Sequence, residues 1–187
     1  MFLLGFLASQ KLSPGAMTDA VRHFSRTIGC ETNGNSFGVM VSDAPSGNLT
    51  LNAGRIEATD SVFRLTLDIR YPVTHDKTAI VNRIRATMRG TGFSGKILKH
   101  QPPLHYPADS GLVRTLSTVY REQTGTMSPP VAIGGGTYAR RLPNVVAFGP
   151  YRPGQDPPIH RHYECIAIDE LIAIAKIYAH AIYELAK

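Results

Sequence analysis

Residues 61–71 alternate with a period of two. Phe63, Leu65, Leu67 and Ile69 are apolar, and Arg64, Thr66, Asp68 and Arg70 lie between them. Alternation of this kind predicts a β-strand over Ser61–Tyr71 with one buried face, and it places Asp68 and Arg70 on the other face. Pro72 ends the strand. The period then changes. Asp76–Arg89 carries Ile80, Ile84 and Met88 on one helical stripe, with Asp76 placed to cap the first turn and Gly90 and Gly92 to stop the last. A one-faced strand beside a one-striped helix buries both by layering helix on sheet.

The rest of the first hundred residues agrees with that layering. Residues 1–10 read as the end of a helix. Ala16–Ile28 reads as a second, with Met17, Val21, Phe24 and Ile28 at helical spacing and Gly29 as its stop. Ser36–Val41 and Leu49–Asn52 are short β-type runs around the turn-forming residues 42–48, which predicts a hairpin, and Gly54 marks a bulge or a close approach. Gly95–His100 reads as a further strand before Pro102-Pro103.

Beyond residue 103 the composition changes. Asp109-Ser110 caps a helix that runs to about Thr124, with Leu112, Leu116, Val119 and Tyr120 in register and Gly125 as its end. Val131–Ile133 and Val145–Phe148 read as short buried strands. A last helix is predicted from the N-cap Asp169, with Leu171, Ile174, Tyr178, Ile182 and Leu185 as its core stripe.

Composition removes several classes. The 187 residues are 43% hydrophobic and 18% charged, as in an ordinary globular protein. No apolar run is long enough to span a bilayer. MFLLGFLA at the start lacks a basic flank and a cleavage site, so it reads as a helix fragment and not a leader. The net charge of +6 is scattered. Its densest run, Arg83–Arg89, alternates with apolar residues and has no aromatic neighbours for base stacking, which argues for a solvated helix face over a nucleic-acid surface. Cys30 and Cys165 show no metal spacing and nothing points to an oxidising compartment, so the default location is the cytoplasm.

The chemistry is concentrated between Gly134 and Glu164. Three consecutive glycines, Gly134, Gly135 and Gly136, are costly in backbone entropy and suit a sharp turn or a close approach to a ligand. Thr137, Arg140 and Arg141 follow, with a hydroxyl and two guanidinium groups that can meet an anion. A Pro/Gly-rich loop containing Pro153-Gly154 then delivers His160, His162 and Glu164. An imidazole is a good zinc ligand, and a carboxylate nearby can orient one.

The wording GGGTYARRLPNVVAFGPYRPG, then IHRHYE, then IDELIAIAKIYAHAIYELAK resembles the C-terminal end of peptidase V-type dipeptidases. These belong to the co-catalytic zinc superfamily of aminoacylases, carnosinases, acetylornithine deacetylases and carboxypeptidase G. The resemblance runs from near residue 37 to the end and more loosely before it. It implies an α/β chain of α+β character: a partial ferredoxin-like lid domain in residues 1–102, then the C-terminal segment of the catalytic α/β domain in residues 103–187. It also implies a family start upstream of Met1.

In such enzymes two zinc ions share a bridging carboxylate and water, a Glu abstracts the proton, and the metals polarise the scissile carbonyl. By the resemblance His160 is the C-terminal metal-binding histidine. Arg70 is the lid arginine that takes the substrate carboxylate, and Gly134, Gly135, Gly136, Thr137 and Arg140 contact the substrate. No role carries over to His162. The family's other groups, a His-x-Asp motif, a bridging Asp, a Glu-Glu pair and a further Asp, include no His-x-Asp or Glu-Glu in this sequence. No catalytic residue is therefore expected here, and the chain alone is expected to be inactive. The partner is a dipeptide, with no nucleic acid or membrane, and the lid is a surface for self-association. The alternative is a non-catalytic interaction or dimerisation module derived from such a peptidase.

Overall fold

The computed structural model describes residues 2–59, 61–149, 151–152, 154–156 and 158–187, with side chains from residue 5 onward. Pro153 of the candidate stretch lies outside the described residues. The architecture is α+β. It divides into two compact units, residues 1–103 with 132–134, and residues 104–131 with 135–187.

The first unit contains α1 (Phe2–Ser9), α2 (Ala16–Thr27), the short hairpin β1 (Ser42–Asp43) and β2 (Gly47–Asn48), the long hairpin β3 (Thr50–Ala58) and β4 (Phe63–Arg70), and α3 (Lys77–Met88). β3 and β4 pair antiparallel from Thr50↔Arg70 to Ala58↔Phe63, and the register shifts between Ala53 and Arg55, at the expected glycine. The inward face of β4 is the expected one. Phe63, Leu65, Leu67 and Ile69 pack with Leu51 against Phe24 and Ile28 at α2 and Ile80, Ile84 and Met88 on α3. Asp76 caps α3 by accepting from Ala79 N at 2.9 Å, and Thr87 Oγ1 donates to Phe37 O at 2.8 Å.

Two strands expected in this unit are absent. Residues 36–41 form no ladder, because Gly34 and Gly38 adopt φ +69° and +71° and curl the chain back on itself through Val39 N to Gly34 O. Phe37, Val39 and Val41 are nonetheless buried, so the alternation was a burial signal and not a pairing signal. The hairpin instead sits inside the expected turn, as β1 and β2. Gly95–His100 is not a strand either; the pairing partner that a strand requires is missing beside it.

One carboxylate ties the unit together. Asp43 Oδ1 accepts from Ser46 N and Ser46 Oγ, and Asp43 Oδ2 accepts from Thr74 N, 31 residues away. Desolvation pushes this carboxyl up, but the hydrogen bonds from Thr74 and Ser46 outweigh it and hold it well below the usual carboxylate range. A group whose folded value is depressed stabilises the fold above its unfolded value of about 4, and the contribution is lost as pH falls towards the folded value. Asp43→Asn is therefore expected to lower the urea midpoint at pH 7, with the gap from wild type narrowing below about pH 4. Midpoints measured at pH 7 and pH 3 check this; an equal gap at both would show that the charge contributes nothing.

The second unit contains α4 (Gly111–Thr124), a 3₁₀ turn (Tyr138–Arg141) and α5 (Ile168–Leu185). Ser110 caps α4, and Gly125 ends it at φ +69°, a conformation that glycine adopts without strain. Leu116 and Val119 pack on Ile177 and Ala181, with Leu112, Tyr120, Val146 and Phe148 against them. Tyr178 Oη donates to Phe148 O at 3.0 Å, which fastens the apolar run 145–148 to α5. That run and Val131–Ile133 form no strand. α5 differs from expectation too. Its N-cap is Ala167, and its buried residues are Ile174, Ile177 and Ala181. Leu171, Ile182 and Leu185, expected in the stripe, are exposed by 53%, 69% and 48%. No helix among the described residues is long and apolar enough to cross a membrane.

Candidate functional site

Arg70 is the last residue of β4 and the last rung of its ladder, opposite Thr50. Strand alternation turns it away from the apolar face. Its Nη2 donates to Asp68 Oδ2 at 3.1 Å, and both side chains are exposed. An exposed pair of this kind is worth about 0–1 kcal/mol. It engages one Nη2 hydrogen, and a guanidinium carries five N–H donors, so the group retains the capacity to take a second carboxylate. Next to it, Tyr71 Oη and His100 Nε2 share a 2.8 Å hydrogen bond and their rings lie parallel. Burial, and then the Asp76 charge, push the Tyr71 phenol up, so it stays protonated.

The glycine run is exposed, and the chain bends at Gly134. Neither Gly134 nor Gly136 has a positive φ, and a Cβ built on either would meet nothing within 4 Å. The expected sharp bend is there, but at Gly134 and Gly136 it needs no left-handed backbone, and the described residues leave room for a side chain at both. Thr137 N-caps the 3₁₀ turn with its backbone, and Arg140 N donates to Thr137 O at 3.3 Å. Ala139 is buried and anchors the turn. Arg140 beside it is half-buried and Arg141 is exposed. Among the described residues no carboxylate pairs with Arg140.

His160 sits in a loop knit by its own side chains. Arg161 donates through both Nη atoms to the Asp156 carboxylate, at 3.0 and 2.9 Å. Arg152 Nε lies 3.2 Å from Glu170 Oε1 in the first turn of α5, which ties the preceding segment to that helix. His160 itself has φ +57°, in the left-handed region that few non-glycine residues adopt. Its backbone N–H is held by Glu164 Oε2 at 3.2 Å. Glu164 therefore fixes the main chain of His160 and not its ring. Neither ring nitrogen of His160 has a hydrogen-bond partner among the described residues. His162 packs edge-on against Tyr163.

One exposed imidazole with free nitrogens fits one position on a metal ion and no more. Among the described residues no three His, Cys, Asp or Glu side chains gather into a group able to hold a metal. Two grooves, of about 290 and 420 Å³, run along α4 and contain none of the candidate residues. What sequence reasoning overlooked is the Asp43–Ser46 pair. Its Asp-x-x-Ser spacing reads as turn chemistry, and the pairing with residues 73–74 is invisible in a local window.

A family model described as peptidase family M20/M25/M40 matches residues 10–184. The chain is 37% identical over 188 residues to "Putative dipeptidase YtjP" of Bacillus subtilis, covering 98% of this chain and 40% of that protein. It is 34% identical over 186 residues to "Putative dipeptidase" of Staphylococcus epidermidis, covering 99% of this chain and 39% of that one. A "Putative dipeptidase" of Staphylococcus aureus is 32% identical over 186 residues, with 99% and 39% covered. The chain thus spans about two fifths of the length of these relatives.

Proposed function

This chain belongs to peptidase family M20/M25/M40, and from that premise we propose that it is the C-terminal portion of a zinc-dependent dipeptidase. The observation that carries the reading is the match along nearly the whole chain to dipeptidase-named relatives more than twice its length. In this reading residues 1–102 form part of a lid, and residues 103–187 the last segment of the catalytic domain. The apolar side chains left exposed on α5, Ile168, Leu171, Ile172 and Ile182 among them, support a body that continues beyond these residues.

His160 supplies one metal ligand through its free imidazole, in a loop stiffened by Glu164 and by the Asp156–Arg161 pair. Two zinc ions, when bound, supply Lewis acidity to the scissile carbonyl and to the attacking water. The remaining ligands and the general base come from outside this chain. Arg70 takes the free carboxylate of the dipeptide in a two-pronged pairing, displacing or sharing its weak bond to Asp68. The side-chain-free amides of Gly134, Gly135 and Gly136 approach the substrate backbone, which accounts for glycine at 134 and 136, where the described residues leave room for a side chain. Arg140 and the Thr137 hydroxyl complete the anion cradle. The enzyme works in the cytoplasm on dipeptides.

The test is a chimera in which this chain replaces the matching part of the Bacillus subtilis relative, here termed the assembled enzyme. It is expected to bind zinc and to hydrolyse dipeptides, whereas the 187-residue chain alone does neither. Dipeptide hydrolysis by the chain alone, or a folded chimera without metal, would overturn the reading.

A further inference from the structure

The substrate-carboxylate role of Arg70 raises a mechanical question. A guanidinium at the last rung of a two-stranded ladder is only as well placed as the strand end that carries it. Among the described residues the ladder ends at Arg70, and Pro72 has no N–H to offer. The chain enters a turn closed by His75 N donating to Pro72 O at 3.1 Å. Strand ends of this kind fray at low free-energy cost unless something else holds them.

Here something does. The two inner amides of the turn are both taken up by the β1–β2 hairpin. Val73 N donates to Ser46 Oγ at 3.0 Å and Thr74 N to Asp43 Oδ2 at 2.9 Å. Ser46 is locked in turn, since its N and Oγ both donate to Asp43 Oδ1, at 2.6 and 2.7 Å. His75 Nε2 adds a longer contact to Ser42 O at 3.4 Å. A surface turn can satisfy its amides with water. This one uses a hydroxyl and a carboxylate from 27 and 31 residues away, and bonds to an ionised acceptor are the strong kind.

We propose that Asp43 and Ser46 are positioning residues for Arg70. They clamp the turn at residues 72–75, so that the guanidinium is presented from a strand end fixed by the Thr50 rung on one flank and by the clamp on the other. Neither residue touches the substrate. The inference rests on the reading of Arg70 as the carboxylate-binding group and adds the part of the lid that makes that group accurate. It also gives the short β1–β2 hairpin a purpose, since the hairpin contributes no side chain to the hydrophobic cluster beneath the sheet.

The test has two arms. In the 187-residue chain, amide hydrogen exchange is compared between wild type, Asp43→Asn and Ser46→Ala. Asn keeps the shape of Asp but puts a donor nitrogen where one acceptor oxygen stood. Exchange at Val73 and Thr74 is expected to speed by roughly tenfold or more, and by clearly more than at Leu51 in the core, whose change reports only the loss of global stability. In the assembled enzyme, Asp43→Asn and Ser46→Ala are each expected to raise KM by about tenfold for a dipeptide with a free carboxylate, with little change in kcat. For the same dipeptide as its C-terminal amide, KM stays put. In an Arg70→Ala background neither substitution adds a further rise, because there is nothing left to position. Ser46→Thr, which keeps the hydroxyl, restores the wild-type value.

Effects that add to Arg70→Ala, or that appear equally with the amide, would mean a general structural role and overturn the proposal. So would unchanged exchange at Val73 and Thr74. If Arg70→Ala itself leaves KM unchanged, the reading of Arg70 is what has failed, and that outcome is separate from a clamp that fails while Arg70→Ala still raises KM.

Discussion

His160→Ala is expected to abolish dipeptide hydrolysis by the assembled enzyme and to strip zinc from it. Loss of a partner that merely orients a ligand costs about 10–100-fold in metal affinity, so loss of the ligand itself costs at least the upper end of that range. The effect is chemical and not a collapse of the fold, because the side chain is exposed and its ring makes no hydrogen bond among the described residues. Alanine does pay something at φ +57°, where a Cβ crowds the following carbonyl. Asparagine tolerates that conformation better, so His160→Asn separates the two effects. It keeps the loop and still loses the zinc. Metal analysis and a thermal melt on both variants check the prediction. Two zinc ions retained in either variant would remove His160 from the metal site.

Arg70→Ala is expected to raise KM for dipeptides by roughly 10–100-fold, since a hydrogen bond to a charged group is worth about 1.5–3 kcal/mol. Stability should barely move. Among the described residues the ion pair lost is the exposed one to Asp68, and such pairs contribute about 0–1 kcal/mol. Arg70→Lys should recover only part of the affinity, because an ammonium cannot reproduce two parallel bonds to a carboxylate. Initial rates on a dipeptide and on its C-terminal amide check this, with the penalty confined to the free acid. A KM unchanged for the free acid would take Arg70 out of the site.

The parts of the fold that were legible are those decided within a few residues. The caps at Asp76 and Ser110 and the stop at Gly125 are local bargains between one side chain and one turn of backbone. The inward set Phe63, Leu65, Leu67 and Ile69 is set by strand geometry alone, and so is the bulge at Gly54. The expectations that failed needed a partner. Gly95–His100, Val131–Ile133 and Val145–Phe148 carry the right residues, but a strand exists only where a second one offers its amides, and composition does not reveal that. On α5 the apolar residues nearly encircle the helix, so periodicity could not choose the face. Packing on α4 chose Ile177 and Ala181, and Ile174 is buried as well, while Leu171, Ile182 and Leu185 are exposed.

The candidate site divides along the same line. The polar-face position of Arg70 could be read from spacing, whereas His160 stood out from the other histidines only through the family resemblance. The Glu164 bond to the His160 backbone follows from a left-handed conformation that no propensity announces. The Asp43–Ser46 clamp spans about thirty residues of chain. The glycine run behaves in the opposite way. Its cost was visible in the sequence, and at Gly134 and Gly136 the described residues give no steric reason for it.

The most direct test is a crystal structure of the assembled enzyme with zinc and a non-hydrolysable dipeptide analogue, phased on the metal's anomalous signal. The account predicts His160 bound through a ring nitrogen at about 2.0–2.1 Å to one of two zinc ions, with the analogue's carboxylate on the Arg70 guanidinium. A zinc pair fully ligated by other residues, with the imidazole at 160 left in solvent, would contradict it.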